Sequence, residues 1–212
     1  MTNEFSDWDR PTRFLHLGLV LTVTIQLLVS LFMVPPGSRH PSTPVGHAGF
    51  LVHEWVGLCA LCIVLAHWTW SILSSGRTGL GHLFPLSRDG RRGIAVELRA
   101  LLSRRLVRGG PRGGLSGLVH GLGLVAVSAI AVTGGMLFVM LPANGVPSAL
   151  AHNIADLHSL ISTLVWAYWS GHIGMALLHH FAGDDTLRRM FRFRQAAAGA
   201  PRFRSRGSVP DD

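Results

Sequence analysis

The chain has no lysine; all nineteen of its basic residues are arginine. Acidic residues are scarcer still, and of the eleven present only Glu54 and Asp156 fall near an apolar stretch. A pore lined with carboxylates is therefore missing, which argues against a histidine-lined metal or proton transporter. Charged residues make up 14% of the chain, well below the quarter or so typical of soluble domains. There are two cysteines, Cys59 and Cys62. They lie one helical turn apart in an apolar stretch, where a disulfide is not expected and packing is the simple reading. No glycine-rich phosphate loop and no soluble cofactor fold is present, so nucleotide chemistry is excluded.

Apolar sequence fills the space that charge leaves. Hydrophobic residues are 48% of the total and gather in four stretches, 14–34, 50–73, 117–141 and 157–181. Each is long enough to cross a bilayer as a helix. The first ends abruptly at Pro35-Pro36 and has no small-residue cleavage site, unlike a signal peptide. These features predict an all-α, integral membrane four-helix bundle in one domain, residues 1–191. The polar tail 192–212 is predicted to be disordered.

The arginines orient it. Nine lie in the loop 74–116 (Arg77, Arg88, Arg91, Arg92, Arg99, Arg104, Arg105, Arg108 and Arg112), and seven follow residue 187. The other two loops, 35–49 and 142–156, hold only Arg39. The positive-inside rule places both termini and loop 74–116 in the cytoplasm. The formal charge of +8 then reads as topology and contact with anionic lipid. Nucleic acid is not an expected partner, because no aromatic or motif context accompanies the arginines. Residues 93–107 interleave apolar and arginine positions, as an amphipathic helix on the inner membrane surface would.

Histidine is the chemically informative residue. His158 and His172 are fourteen apart in the fourth stretch, about 21 Å of helical rise and close to a whole number of turns. Both imidazoles thus face the same way at two depths of a core about 30 Å thick. Buried imidazoles in lipid tend to be functional, although single ones also serve as packing residues. Two stacked imidazoles suit two metal centres, and haem iron is the usual metal held this way in a helical bundle. Neither cysteine is followed by histidine, so covalent haem attachment is excluded. At the outer depth His53 is the natural partner of His158, since His47 and His152 lie in or beside loops. At the inner depth His172 has three options: His16, His67 or His120. His53 and His67 are also fourteen apart, an arrangement that resembles the cytochrome b of respiratory bc complexes.

Several motifs resemble those of the bacterial cytochrome b561 family and the related b-type cytochrome subunits of nickel-iron hydrogenases and formate dehydrogenases. They are Trp8-Asp9-Arg10-Pro11-Thr12-Arg13-Phe14-Leu15-His16 at the entry to the first helix and His53-Glu54-Trp55-Val56-Gly57 on the second. His120 and Thr133-Gly134 follow on the third, then His158, His172, His179-His180 and Asp185-Thr186-Leu187-Arg188-Arg189-Met190. The resemblance spans residues 8–191. It implies two haems b with axial ligands His53 with His158 and His16 with His172. It places His67 where a basic residue often meets a haem propionate. Ala131 stands where the family has proline, and Leu17 where tryptophan is common.

Gly57, one turn from His53, leaves room for a macrocycle, and Arg13 is placed to pair with a propionate. Gly121, Gly123, Gly134 and Gly135 suit either a haem wall or close helix packing. Glu54 is expected near the outer haem edge. The resemblance implies electron transfer between the quinone pool (ubiquinone or menaquinone) and a periplasmic cytochrome c, oxidoreductase subunit or small oxidant. A quinone head is expected at the inner end, near His67, His120 and Arg13. The alternative is a haem-bearing membrane anchor of a hydrogenase- or dehydrogenase-type complex.

Overall fold

A computed structural model describes residues 9–35, 38, 41, 43–74, 79–103, 114–142, 147–183 and 190. The expected disordered tail at 192–212 lies outside the described residues, as do Trp8, Asp185–Arg189 of the exit motif and the arginines at 39, 77, 104, 105, 108 and 112.

The described residues are helical or irregular, with no strand among them. Four long helices carry the architecture: α1 (Arg10–Ser30), α2 (Pro44–Leu73), α5 (Leu115–Met140) and α6 (Ala149–Phe181). Between α2 and α5 lie a single turn, α3 (Leu80–Leu83), and α4 (Arg88–Leu102). Local chemistry sets the starts. Asp9, Thr43, Ser87 and Ser148 each accept a hydrogen bond from a backbone N–H in the first turn, at 3.0–3.2 Å. Pro11 and Pro44 sit in first turns, where a missing N–H costs nothing. α5 has no side-chain cap of its own. Instead Glu97 of α4 accepts from Leu115 N at 2.9 Å, and Gly114 takes φ 81°, a backbone conformation that suits glycine.

α2 and α6 outrun the expected spans, and α1 is shifted along the chain. α1 runs 10–30 rather than 14–34, because Pro11 opens the helix and its last turn frays before Pro35. α2 starts at Pro44, so His47 is helical, though still exposed. α6 starts eight residues before the expected 157, so His152 and Asp156 lie on it rather than in a loop. The amphipathic segment runs 88–102, not 93–107, because Ser87 caps it earlier.

α1, α2 and α5 are long and apolar enough to cross a membrane. α6 is long enough but less apolar, since His158, His172, Ser159, Ser162, Thr163 and Tyr168 interrupt its hydrocarbon. Large apolar side chains point outward throughout, Val139 and Phe181 at 83% exposure among them. Such a surface suits a lipid solvent, in which the hydrophobic effect does not drive helices together.

Close packing and polar contacts join the helices instead. α1 lies along α2, α2 along α5 and α5 along α6. Trp68 Nε1 donates to Ser128 Oγ at 2.8 Å, joining α2 to α5. Trp169 Nε1 donates to Thr24 Oγ1 at 3.0 Å, reaching from α6 to α1. Gln26 Nε2 donates to the His53 carbonyl at 2.7 Å, joining α1 to α2. Each such bond contributes about 0.6–2 kcal/mol in a membrane. α6 has no comparable backbone packing on α1 or α2.

Candidate functional site

Side chains cross the interval that the backbones leave open. On one level His53 of α2 faces His158 of α6, ring centroids 6.2 Å apart and nearly perpendicular. On a second level, near the start of α1, His16 faces His172 of α6 at 6.3 Å. The helices bearing these opposed rings are the ones that do not pack closely on each other.

The two levels differ. At the His53 level, Thr133 of α5 lies 2.9 Å from His158 Nδ1. Its hydroxyl also reaches the Ala129 and Ile130 carbonyls at 2.9 and 3.0 Å. Carbonyls can only accept, so the hydroxyl proton goes to them and the oxygen accepts from Nδ1–H. His158 therefore keeps its Nε2 lone pair unprotonated. The Nδ1 atom of His53 is buried and has no hydrogen-bond partner among the described residues.

The His16 level is more crowded. His120 of α5 joins it, with its ring 5.0 Å from that of His172 and 6.5 Å from that of His16. The ligand nitrogens of His16, His120 and His172 all lie within 4.8 Å of one another. His120 Nδ1 donates to the Ser116 carbonyl at 2.6 Å, leaving Nε2 as the acceptor. His67 lies on α2, its Nδ1 3.3 Å from Ser71 Oγ. Tyr168, the one tyrosine of the chain, stacks on His172 at 5.5 Å. Arg13 is buried at the same end of α1. Beyond the membrane-spanning helices, burial lowers the pKa of His82 on α3, with the charge of nearby His120 as the second cause.

Each glycine has its own neighbour. A Cβ on Gly134 would lie 3.2 Å from His158 Cε1, so this residue makes room for the imidazole. A Cβ on Gly57 would lie 2.8 Å from Gln26 Nε2, so its room is taken by the amide that bonds the His53 carbonyl. Gly117 and Gly121 let the α3 backbone rest on α5, and Gly123 receives the Tyr168 ring. These three serve packing rather than a haem wall.

The residues present fit the haem that the sequence resemblance implies. An iron between two imidazoles needs ring centres about 6 Å apart: two metal–nitrogen bonds of about 2 Å plus two ring radii of about 1.1 Å, from ring bonds of about 1.3 Å. Both opposed pairs meet that separation. The tautomer of His158 and the orphaned nitrogen of His53 suit ligands as well.

Thr133, Tyr168 and Gln26 do not stand out in the sequence as members of these clusters. Tyr168 could have been found, four residues before His172 on one helix face. Thr133 belongs to the Thr133-Gly134 motif, but its bond to His158 crosses helices; Gln26 also acts across helices, and no local pattern marks it.

A family model for prokaryotic cytochrome b561 matches residues 7–193. No curated protein and no solved structure matches the chain. With nearly its whole length covered, the chain belongs to the prokaryotic cytochrome b561 family, membrane proteins that transfer electrons on b-type haem.

Proposed function

We propose that this protein is a dihaem cytochrome of the bacterial inner membrane, passing electrons between the quinone pool and a periplasmic partner or small oxidant. His53 and His158 would hold one haem b and His16 and His172 the other. The observation that carries this reading is the pair of opposed imidazole couples, both at axial-ligand separation and fourteen residues apart along α6. Iron held by two imidazoles has no open position and supplies one-electron transfer rather than oxygen binding.

The chain's own residues prepare both sites. Thr133 holds His158 in the ligating tautomer. Arg13 places a charge that is always present at the His16 level, where a propionate needs a counter-ion. Trp169 and Gln26 brace α1 against its neighbours on either side. The four long helices form a four-helix membrane bundle, with His158, Tyr168 and His172 of α6 turned toward the other helices. Arginine distribution puts α3, α4 and both termini in the cytoplasm, so the His16 level is the inner one. There His67 and Ser71 offer polar groups to a ubiquinone or menaquinone head, beside Arg13.

Haem counting by pyridine haemochrome tests the reading. Purified protein should carry two haems b, and His53→Ala, His158→Ala and His16→Ala should each carry one. His67→Ala should keep two. If His67→Ala lost a haem while His16→Ala kept two, the second and fourth long helices would hold both haems and this ligand set would fall. A quinone-site inhibitor should shift the haem that survives in His53→Ala; a shift confined to the lost haem would move the quinone to the outer face.

A further inference from the structure

At the His16 level the ligand nitrogens of three imidazoles, those of His16, His120 and His172, lie within 4.8 Å of one another, where an iron has two axial positions. The ring-centroid distances form a triangle: 6.3 Å from His16 to His172, 6.5 Å from His16 to His120 and 5.0 Å from His120 to His172. His16 is the apex, and the other two rings lie side by side opposite it. Both long sides match the roughly 6 Å that bis-imidazole ligation needs, and the short side does not.

His120 is also prepared as a donor. The Ser116 carbonyl takes its Nδ1 proton at 2.6 Å, so its Nε2 carries a lone pair. That bond runs back along α5 to the residue four earlier and orients the ring, as an outer-shell carbonyl orients many metal-bound histidines. Among the described residues no carbonyl bonds the His172 ring; the Tyr168 ring stacks on it instead. The His53 level lacks this redundancy. His158 meets Thr133 from α5 there, and a hydroxyl in that role is an acceptor for imidazole, not a rival for iron.

Resting on the dihaem reading above, we propose that His120 is a reserve axial ligand of the inner haem, able to take the place of His172 opposite His16. The inner site then tolerates loss of either member of the pair on α5 and α6. The outer site tolerates no such loss.

Haem stoichiometry and spin state of purified variants test this. His172→Ala and His120→Ala should each retain two low-spin haems, while the double variant His120→Ala/His172→Ala should retain one. His158→Ala should drop to one haem by itself. The other haem reports folding in every case, because a chain that still binds it has kept its bundle. Loss of one haem in His172→Ala alone overturns the proposal and leaves the dihaem reading standing. Retention of two haems with one turned high-spin also overturns it, since His16 would then be holding iron without His120. If instead His16→Ala kept two haems, the inner site itself would be wrong, which is a different failure.

Discussion

Replacing Thr133 with valine removes one hydroxyl and little else, and it should loosen one haem only. The side chain is buried, and its oxygen accepts from His158 Nδ1–H at 2.9 Å. Valine matches the shape of threonine but takes the hydroxyl acceptor from a buried imidazole N–H, a loss of about 1–3 kcal/mol. His158 can then turn, or move its proton to Nε2 and lose the lone pair that binds metal. Outer-shell losses of this kind cost about 10–100-fold in metal affinity, or about 1.4–2.8 kcal/mol at 1.4 per tenfold, in line with the hydrogen-bond figure. The assay is transfer of haem from the purified protein to a soluble haem scavenger. Thr133→Val should release one haem roughly 10–100-fold faster, with the second unchanged, and Thr133→Ser should behave as the parent. Equal release from parent and Thr133→Val would refute the tautomer argument. Accelerated loss of the haem that survives in His53→Ala would show that Thr133 serves the other level.

Three further outcomes follow from local geometry. Gly134→Ala puts a Cβ 3.2 Å from His158 Cε1 and should be absorbed with two haems retained, whereas Gly134→Leu overfills the site at about 1–3 kcal/mol and should lose the outer haem, as haemochrome assay will show. Glu97→Ala removes the acceptor for Leu115 N and the charge at the start of α5, and should lower stability by about 0.5–2 kcal/mol in a thermal melt in detergent, with haem content unchanged at low temperature. Burial lowers the pKa of His82 below its ordinary 6.5, so the unfolded chain binds more protons in the window beneath that value; the stabilisation is complete above pH 6.5 and is lost as the pH falls toward the folded pKa. Hydrogen-exchange protection in the α3 segment, referred to the intrinsic amide rate at each pH, should therefore fall on mild acidification, and His82→Gln should flatten that dependence.

Much of this molecule is local and therefore legible in the sequence. Apolar runs with few charges can only be helices in lipid, since each must satisfy its own backbone. Prolines and capping side chains at Asp9, Thr43, Ser87 and Ser148 mark where helices start, although the apolar runs alone understate α2 and α6. The interval of fourteen between His158 and His172 places two imidazoles on one face at two depths, because helix pitch is the same everywhere. Which histidines meet across helices is not local. It depends on how α5 is set against α6 in depth and rotation, and a shift of one residue would turn a side chain about 100° away. That setting alone brings Thr133 to His158 and His120 to the side of His172, and it rests on Gly123 of α5 receiving Tyr168 of α6. The sequence by itself determined that histidines stand at two levels in a membrane. Only the tertiary structure decided that one level is a pair and the other a triangle, because packing between distant segments, not helical period, sets those distances.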